Sequence, residues 1–252
     1  MGKRNEVNEL FKKLLMRTLE QIQKIKQGQS DPYSIRDVVD VNSLYKYYEL
    51  NKEQAIQKNT GPKVLKVDPN EKVFEPLITS LKQQVGEFDI RYIHYFDVTD
   101  PHIIHNDDEF EYPNCYKAFT IPLRIYGNSD DVKLIVFDQY YYGGPAKFVN
   151  GSDMTDYPVH YNKFLTDYKD IEGQSIAELN DIELSYLTHL QPNWLKGLSI
   201  NKMLHWQIGD ALCFDSLALH CSSDFRSKGI LRKIGLSIFT TRNEDGSYIT
   251  KN

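Results

Sequence analysis

Hydrophobic positions follow two different rhythms along the chain: a helical period near the N-terminus and a strand-like pattern farther on. Residues 5–27 carry apolar side chains at helical spacing among Lys, Glu and Gln, which predicts an amphipathic helix. Prolines and glycines interrupt residues 28–72, which predicts irregular structure with one short helix near 42–57. A further helix is expected from Pro76 to about residue 85, because proline is well tolerated in the first helical turn.

From residue 88 onward, short runs rich in β-branched and aromatic residues alternate with turn residues. The runs are 88–97, 116–127, 132–138, 211–219 and 230–240. Such close spacing predicts mostly antiparallel strands in a sandwich or barrel. We therefore expect a single domain, in which residues 1–87 form a helical segment that packs on a β core over 88–252, and an insert over 139–203 interrupts that core.

Composition and charge narrow the classes of function. The chain is 40% hydrophobic and 12% aromatic, which suits a folded domain with a large core. The net charge of -5 argues against bulk attraction for nucleic acid or for an anionic membrane. No apolar run approaches the roughly 20 residues of a membrane helix. The three cysteines lack CxxC spacing, and no secretory signal is recognised, so we expect reduced thiols and a cytoplasmic protein.

Two histidines and an aspartate are candidate metal ligands. His105 and Asp107 are two residues apart, and on an extended backbone such residues project to the same side, so both can meet one ion. His220 ends a short apolar run that follows a Gly-Asp turn. Taken singly, each has an ordinary structural interpretation: the HxD triplet is common by chance, and a histidine in a strand is often only hydrogen-bonded in the core.

Arg232 lies inside the last apolar run, on the predicted face of Ile230 and Ile234. A guanidinium on the apolar side of a strand is costly unless an anion accompanies it. Its partner is either an internal Asp or Glu or a small-molecule carboxylate bound bidentately, and both alternatives stay open. Lys233 is the alternative cation if the register of this strand is shifted by one residue.

The order His105-x-Asp107, His220 and Arg232 resembles the Fe(II)- and 2-oxoglutarate-dependent dioxygenases. The stretch 209–223 (GDALCFDSLALHCSS) resembles in particular the strand-turn-strand before the distal histidine in the phytanoyl-CoA dioxygenase-like branch. The resemblance covers about half to two thirds of the chain, from residue 88 to residue 240. It implies a mostly β fold with flanking helices: a double-stranded β-helix, or jelly roll, like that of the cupins.

The resemblance also implies a set of cofactors. Fe(II) is expected on the two histidines and the aspartate, with 2-oxoglutarate as co-substrate, O2 as oxidant and ascorbate as a stimulant. Arg232 is expected to bind the distal carboxylate of 2-oxoglutarate, and Ser222 and Thr120 are expected beside the co-substrate. Ile234 stands where many family members carry a serine, which is a departure from the pattern.

The expected reaction is oxidative decarboxylation of 2-oxoglutarate coupled to hydroxylation, or a related C–H oxidation, of a small molecule. Two alternatives stay open: a cupin-like module that binds a metal or an organic acid without turnover, and a protein side-chain hydroxylase. Asp107 argues against halogenation, because halogenases of this family carry a small residue there. We expect the insert 139–203 to determine specificity, with Tyr140–Tyr142 as part of a lid and with Trp194 and Trp206 nearby in the sequence. The substrate and the oligomeric state stay open.

Overall fold

The structure is a computed structural model, and it describes residues 19–57, 61–108, 114–142, 144–148 and 179–242. In chain order the described helices are α1 (Leu19–Gln27), α2 (Val41–Asn51), α3 (Glu75–Val85) and α4 (Asp181–Ser185). The described strands are β1 (Tyr33–Ile35), β2 (Ile56–Gln57), β3 (Lys63–Val67), β4 (Asp89–Val98), β5 (Cys115–Gly127), β6 (Lys133–Tyr140), β7 (Ile200–His205), β8 (Ala211–Asp215), β9 (Ala218–Ser222) and β10 (Ile230–Thr241).

The helices lie close to the predicted positions. α1 is the C-terminal end of the helix predicted over 5–27, whose first part lies outside the described residues. Asp40 caps the N-terminus of α2, because its carboxylate accepts a hydrogen bond from the amide of Asn42. α3 has Pro76 in its first turn and ends at Gly86, where φ is +82°. None of the helices in the described ranges is long and apolar enough to span a membrane.

Two antiparallel sheets form the body of the domain. The large sheet has the strand order β1-β8-β5-β10-β4-β3-β2, and the small sheet has the order β7-β6-β9. A segment between β4 and β5 joins the small sheet, because His105 pairs with His220 of β9. From β4 to β10 the chain crosses repeatedly between the two sheets, which is the path of a jelly roll. The predicted double-stranded β-helix with flanking helices is therefore confirmed.

Three details differ from the strand predictions. The run 211–219 is two strands in different sheets, because the chain turns at Ser216 and Leu217 between β8 and β9. β7 lies at the end of the predicted insert and pairs with β6. β1, β2 and β3 lie in a region predicted to be irregular, and they extend the edges of the large sheet. These three are only two to five residues long, which is too short for periodicity to reveal them.

Each face of the large sheet packs against a different partner. One face buries Ile93 and Tyr95 of β4 against Leu44 of α2 and Leu77 of α3. The opposite face is turned toward the small sheet. Its apolar cluster includes Ala118, Phe214 and Phe239 from the large sheet and Val136 from the small sheet. The space between the two sheets is consequently where inward-facing side chains of both can meet.

A buried ion pair ties the N-terminal segment to the barrel. The ammonium of Lys117 in β5 donates to the Asp215 carboxylate in β8, and it also donates to Ser30 Oγ at 2.6 Å. Asp215 accepts two further hydrogen bonds, from the Ser30 amide at 3.0 Å and from the Tyr140 hydroxyl at 2.8 Å. The two side chains are 5% and 11% exposed, so each charge depends on the other.

We expect Lys117→Met to lower the free energy of unfolding by roughly 3–5 kcal/mol, because the Asp215 carboxylate would be left buried without a cation. Urea denaturation followed by circular dichroism measures this change. Lys52→Met is the matched control, since Lys52 pairs with Glu49 on the surface and its removal should leave stability unchanged. Equal stability of the two variants would contradict the prediction.

Candidate metal centre

His105, Asp107 and His220 meet in the space between the sheets. The amide of each histidine donates to the carbonyl of the other, at 3.0 Å and 2.9 Å, which sets their side chains on one face of the small sheet. Nε2 of His105 lies 3.7 Å from one carboxylate oxygen of Asp107, and Nε2 of His220 lies 3.3 Å from the other. One ligand atom from each residue lies within 4.8 Å of the others. Within the described ranges, this is the group of His, Cys, Asp and Glu residues that could hold a metal ion.

Backbone carbonyls orient both imidazole rings. Nδ1 of His105 lies 2.8 Å from the carbonyl of Ile103, and Nδ1 of His220 lies 3.0 Å from that of Ala218. Each Nδ1 must carry a proton to make this bond, so Nε2 is the nitrogen of each ring that faces Asp107 and can bind a cation. Burial, together with nearby His102 and His220, lowers the pKa of His105 well below its ordinary value. A neutral imidazole is the form that binds a metal, so the donor set fits a divalent cation.

Asn106, which lies between the ligands His105 and Asp107, anchors this segment on the side that faces away from the metal centre. Its side-chain amide donates to the carbonyls of Tyr141 and Gly144 at 3.2 Å and 3.1 Å, and its oxygen accepts from the amide of Ala146 at 2.7 Å. The residue between two ligands on an extended strand must point away from the metal. Sequence reasoning missed this role, although the alternation of the HxD triplet would have indicated the direction of the side chain.

The turn between β8 and β9 holds the backbone of Asp107. The backbone amide of Asp107 donates to the carbonyl of Ser216 in this turn at 2.8 Å. The ring of Phe214, at the end of β8, lies 4.5 Å from the ring of His220 between centroids. A carboxylate ligand and an imidazole ligand are thus fixed by the same stretch of chain.

Arg232, the predicted clamp for the co-substrate, is not at this centre. Its Nε and Nη2 donate to the two oxygens of Asp97 at 2.7 Å and 2.8 Å, and the Tyr48 hydroxyl donates to the same carboxylate. The internal acid is therefore its partner, which is one of the two alternatives that the sequence left open. The physical reason is that Arg232 alternates with Ile234 and Leu236, whose side chains pack toward the helices and not toward the small sheet. Ile230 lies on the opposite face, because the pairing of β10 with β5 shifts between Ile230 and Arg232.

Lys233 lies on the inward side instead. Its side chain is buried, and its ammonium donates to Ser222 Oγ at 2.8 Å. The ammonium lies over the rings of Trp206 and Phe225, at 4.7 Å and 4.9 Å from their centroids. Burial lowers the pKa of Lys233 to about 7. In the part of the chain that the structure describes, no carboxylate lies within ion-pair distance of it.

The two predicted hydroxyl residues lie on the walls of the same space. Ser222, two residues after His220, accepts the Lys233 hydrogen bond and donates to the carbonyl of Ser223 at 3.2 Å. Thr120 pairs with Leu212 of β8 and with Ser237 of β10. Thr120 shares its strand parity with Ala118, whose side chain belongs to the cluster between the sheets, so Thr120 faces inward. Their roles toward a co-substrate stay predictions.

The region predicted as a specificity lid is described in part. Residues 143 and 149–178 lie outside the described ranges. Trp206 contacts Lys233, whereas Trp194 packs against Phe148 in a separate apolar cluster. The ring of His102 packs edge-on against that of His105, at 4.1 Å between ring centroids, and burial lowers the pKa of His102 to about 3. The imidazole that packs against the ligand His105 is therefore neutral.

Comparison with known proteins found likeness only among solved structures. No protein-family model matches the chain, and no curated protein matches it. A Pseudomonas putida prolyl-4-hydroxylase aligns with a TM-score of 0.47 and 9% identity, over 88% of this chain and 98% of that one. The epimerase SnoN, in complex with Fe3+ and alpha ketoglutarate, aligns with a TM-score of 0.47 and 8% identity, over 86% and 81%.

HygX from Streptomyces hygroscopicus, with nickel and 2-oxoglutarate bound, aligns with a TM-score of 0.45 and 11% identity, over 89% of this chain and 87% of that one. Because all three TM-scores are below 0.5, these likenesses carry no functional argument. The function proposed below depends on the geometry of this chain's own residues.

We expect Asp107→Ala and His220→Ala each to weaken Co(II) binding by at least about a hundredfold, since loss of residues that merely orient ligands already costs 10–100-fold. Isothermal titration calorimetry measures the dissociation constant. His205→Ala is the control, because this histidine is exposed on β7 and should leave the constant unchanged. Unaltered affinity in the first two variants would exclude the triad as the metal site.

Proposed function

We propose that this protein is a non-haem Fe(II)- and 2-oxoglutarate-dependent oxygenase that oxidises a C–H bond of a small molecule. The observation that carries the proposal is the convergence of His105, Asp107 and His220 within 4.8 Å, with both histidine Nε2 atoms directed at the carboxylate. Two imidazoles and one carboxylate on one side of a metal are the ligand set of non-haem Fe(II) oxygenases, and they leave adjacent positions open.

Each described residue has a part in this proposal. His105, Asp107 and His220 would hold Fe(II), and the bound metal would supply the activation of O2 that couples decarboxylation of 2-oxoglutarate to substrate oxidation. Lys233 replaces Arg232 as the group that binds the distal carboxylate of 2-oxoglutarate. A buried ammonium without a described acid partner gains most from such an anion, because burial without one is costly.

Finer assignments rest on the residues alone. Membership of the phytanoyl-CoA dioxygenase-like branch is proposed from the stretch 209–223 and from the order of the ligands. All three cysteines are buried thiols, which is consistent with the proposed cytoplasmic location. Hydroxylation of a small molecule is the proposed reaction, and a protein side chain is the alternative substrate.

Turnover of the co-substrate tests the proposal. We expect the protein with Fe(II), ascorbate and 2-oxoglutarate to form succinate above the background without protein, because the proposed reaction decarboxylates 2-oxoglutarate to succinate. His105→Ala and Asp107→Ala should reduce succinate, measured by chromatography, to that background, while His205→Ala should retain it. Tight metal binding without succinate formation, under these conditions and with candidate small molecules added, would favour the cupin-like binding module.

Lys233 makes the affinity for 2-oxoglutarate dependent on pH. The pKa of Lys233 is lowered to about 7, so the ammonium is present below pH 7 and is lost above it. A bound carboxylate favours the charged form, so binding above pH 7 requires uptake of a proton. We expect the dissociation constant of 2-oxoglutarate to be flat from pH 6 to 7 and to rise by up to about tenfold per pH unit above 7. Quenching of tryptophan fluorescence, with Trp206 beside the ammonium, measures it.

Two variants separate Lys233 from its neighbour. Lys233→Arg keeps a permanent charge and should flatten the pH profile, whereas Lys233→Met should weaken binding by about tenfold or more at pH 6.5. Arg232→Met is the matched control, because its guanidinium pairs with Asp97 and should not contribute to binding. If Arg232→Met lost affinity for 2-oxoglutarate and Lys233→Met did not, Arg232 would be the residue that binds the distal carboxylate.

A further inference from the structure

A second buried cation lies next to the metal centre and is not among its ligands. Arg91 stands in the middle of β4 and is only 7% exposed. The sequence gives no hint of its role, because it is one basic residue in a run of alternating apolar positions. A guanidinium is buried at this depth only where several acceptors surround it.

A β-bulge turns Arg91 toward the space between the sheets. Phe239 of β10 pairs with Tyr92, but the next residue, Thr240, pairs with Ile90, so Arg91 is the extra residue. Without the bulge, alternation would direct Arg91 into the apolar cluster that contains Ile93, on the helical side of the sheet. Bulges next to functional sites commonly redirect one side chain in this way.

The guanidinium of Arg91 lies over two aromatic rings and reaches the segment that carries the ligands. Its carbon is 4.9 Å from the ring centroid of Tyr92 and 5.3 Å from that of Phe239. Nη2 donates to the backbone carbonyl of Asp107 at 2.9 Å, and Nη1 donates to Sγ of Cys115 at 2.9 Å. The two rings and the two hydrogen bonds together restrict the position of the guanidinium and the direction of its N–H groups.

The backbone of Asp107 is thereby held at both ends. Its amide donates to the carbonyl of Ser216, and its carbonyl accepts from Arg91. The direction of the carboxylate depends on the φ and ψ angles between these two bonds, since they set where the Cβ points. Cys115 extends the support to the next residue, because its thiol donates to Asp108 at 3.3 Å.

We infer that Arg91 is a positioning residue for the metal ligand Asp107, acting through the carbonyl of that residue. The inference rests on the proposed metal centre, but it does not need 2-oxoglutarate or turnover. The guanidinium donates hydrogen bonds to the carbonyl of Asp107 and to Sγ of Cys115 at the same time. A lysine side chain at this position is shorter and its ammonium lacks the planar, forked arrangement of donors.

Co(II) binding and its visible absorption spectrum test the inference. We expect Arg91→Met to weaken Co(II) binding by about 10–100-fold and to shift the d–d bands, and Arg91→Lys to give a smaller loss with a shift in the same direction. Arg226→Met is the matched control, because that exposed guanidinium also donates to a backbone carbonyl, that of Leu231 at 3.2 Å. It should leave the affinity and the spectrum unchanged.

A purely structural role for Arg91 would give a different result. The variants would then unfold at lower urea concentration while binding Co(II) with wild-type affinity and spectrum, and that outcome would overturn the inference. Arg91→Lys keeps the charge, so it provides the decisive comparison if Arg91→Met does not fold. Formation of succinate is measured separately. Its absence in the wild-type protein would refute the oxygenase proposal. An unchanged Co(II) spectrum in Arg91→Lys would refute only the role of Arg91.

Discussion

The backbone bridge between His105 and His220 is the constraint on which the candidate site depends. These residues are far apart in the chain, yet each amide donates to the carbonyl of the other. In an antiparallel pair, opposite residues project their side chains to the same face, so the bridge orients both imidazoles at once. Asp107, two residues after His105, then projects to that face as well. A three-residue donor set follows from one pairing and the alternation of one short strand.

In four buried or half-buried basic residues, different interactions offset the cost of desolvating the cation. Lys117 is paired with Asp215 inside a network that includes the N-terminal segment. Arg232 is paired bidentately with Asp97 on the helical side of the large sheet. These two are structural, because each charge is neutralised within the fold.

The other two basic residues lie on the side where the sheets face each other. Lys233 has a hydroxyl and two aromatic rings around its ammonium, and its lowered pKa reflects burial without a described acid partner. Arg91 supports the backbone of a ligand residue through a β-bulge. A cation that is neutralised by an internal acid stabilises the fold, whereas Lys233 and Arg91 lie where we propose that they bind an anionic co-substrate and position a metal ligand, respectively.

The fold class, the helices near residues 42 and 76 and the three candidate metal ligands could be predicted from the order of the amino acids. The helices depend on local features, namely periodicity and a proline in a first turn, whereas the ligand set depends on the HxD triplet and on the family resemblance that links it to the distant His220. The tertiary structure was needed to tell which cation faces the metal centre, because periodicity does not tell which face of a strand packs against the helices. Arg232 shares its face with Ile234 and Leu236 on the helical side, and Lys233 lies on the other face. It alone revealed the support from Arg91, Asn106 and Ser216, since these contacts join segments whose proximity no local pattern encodes.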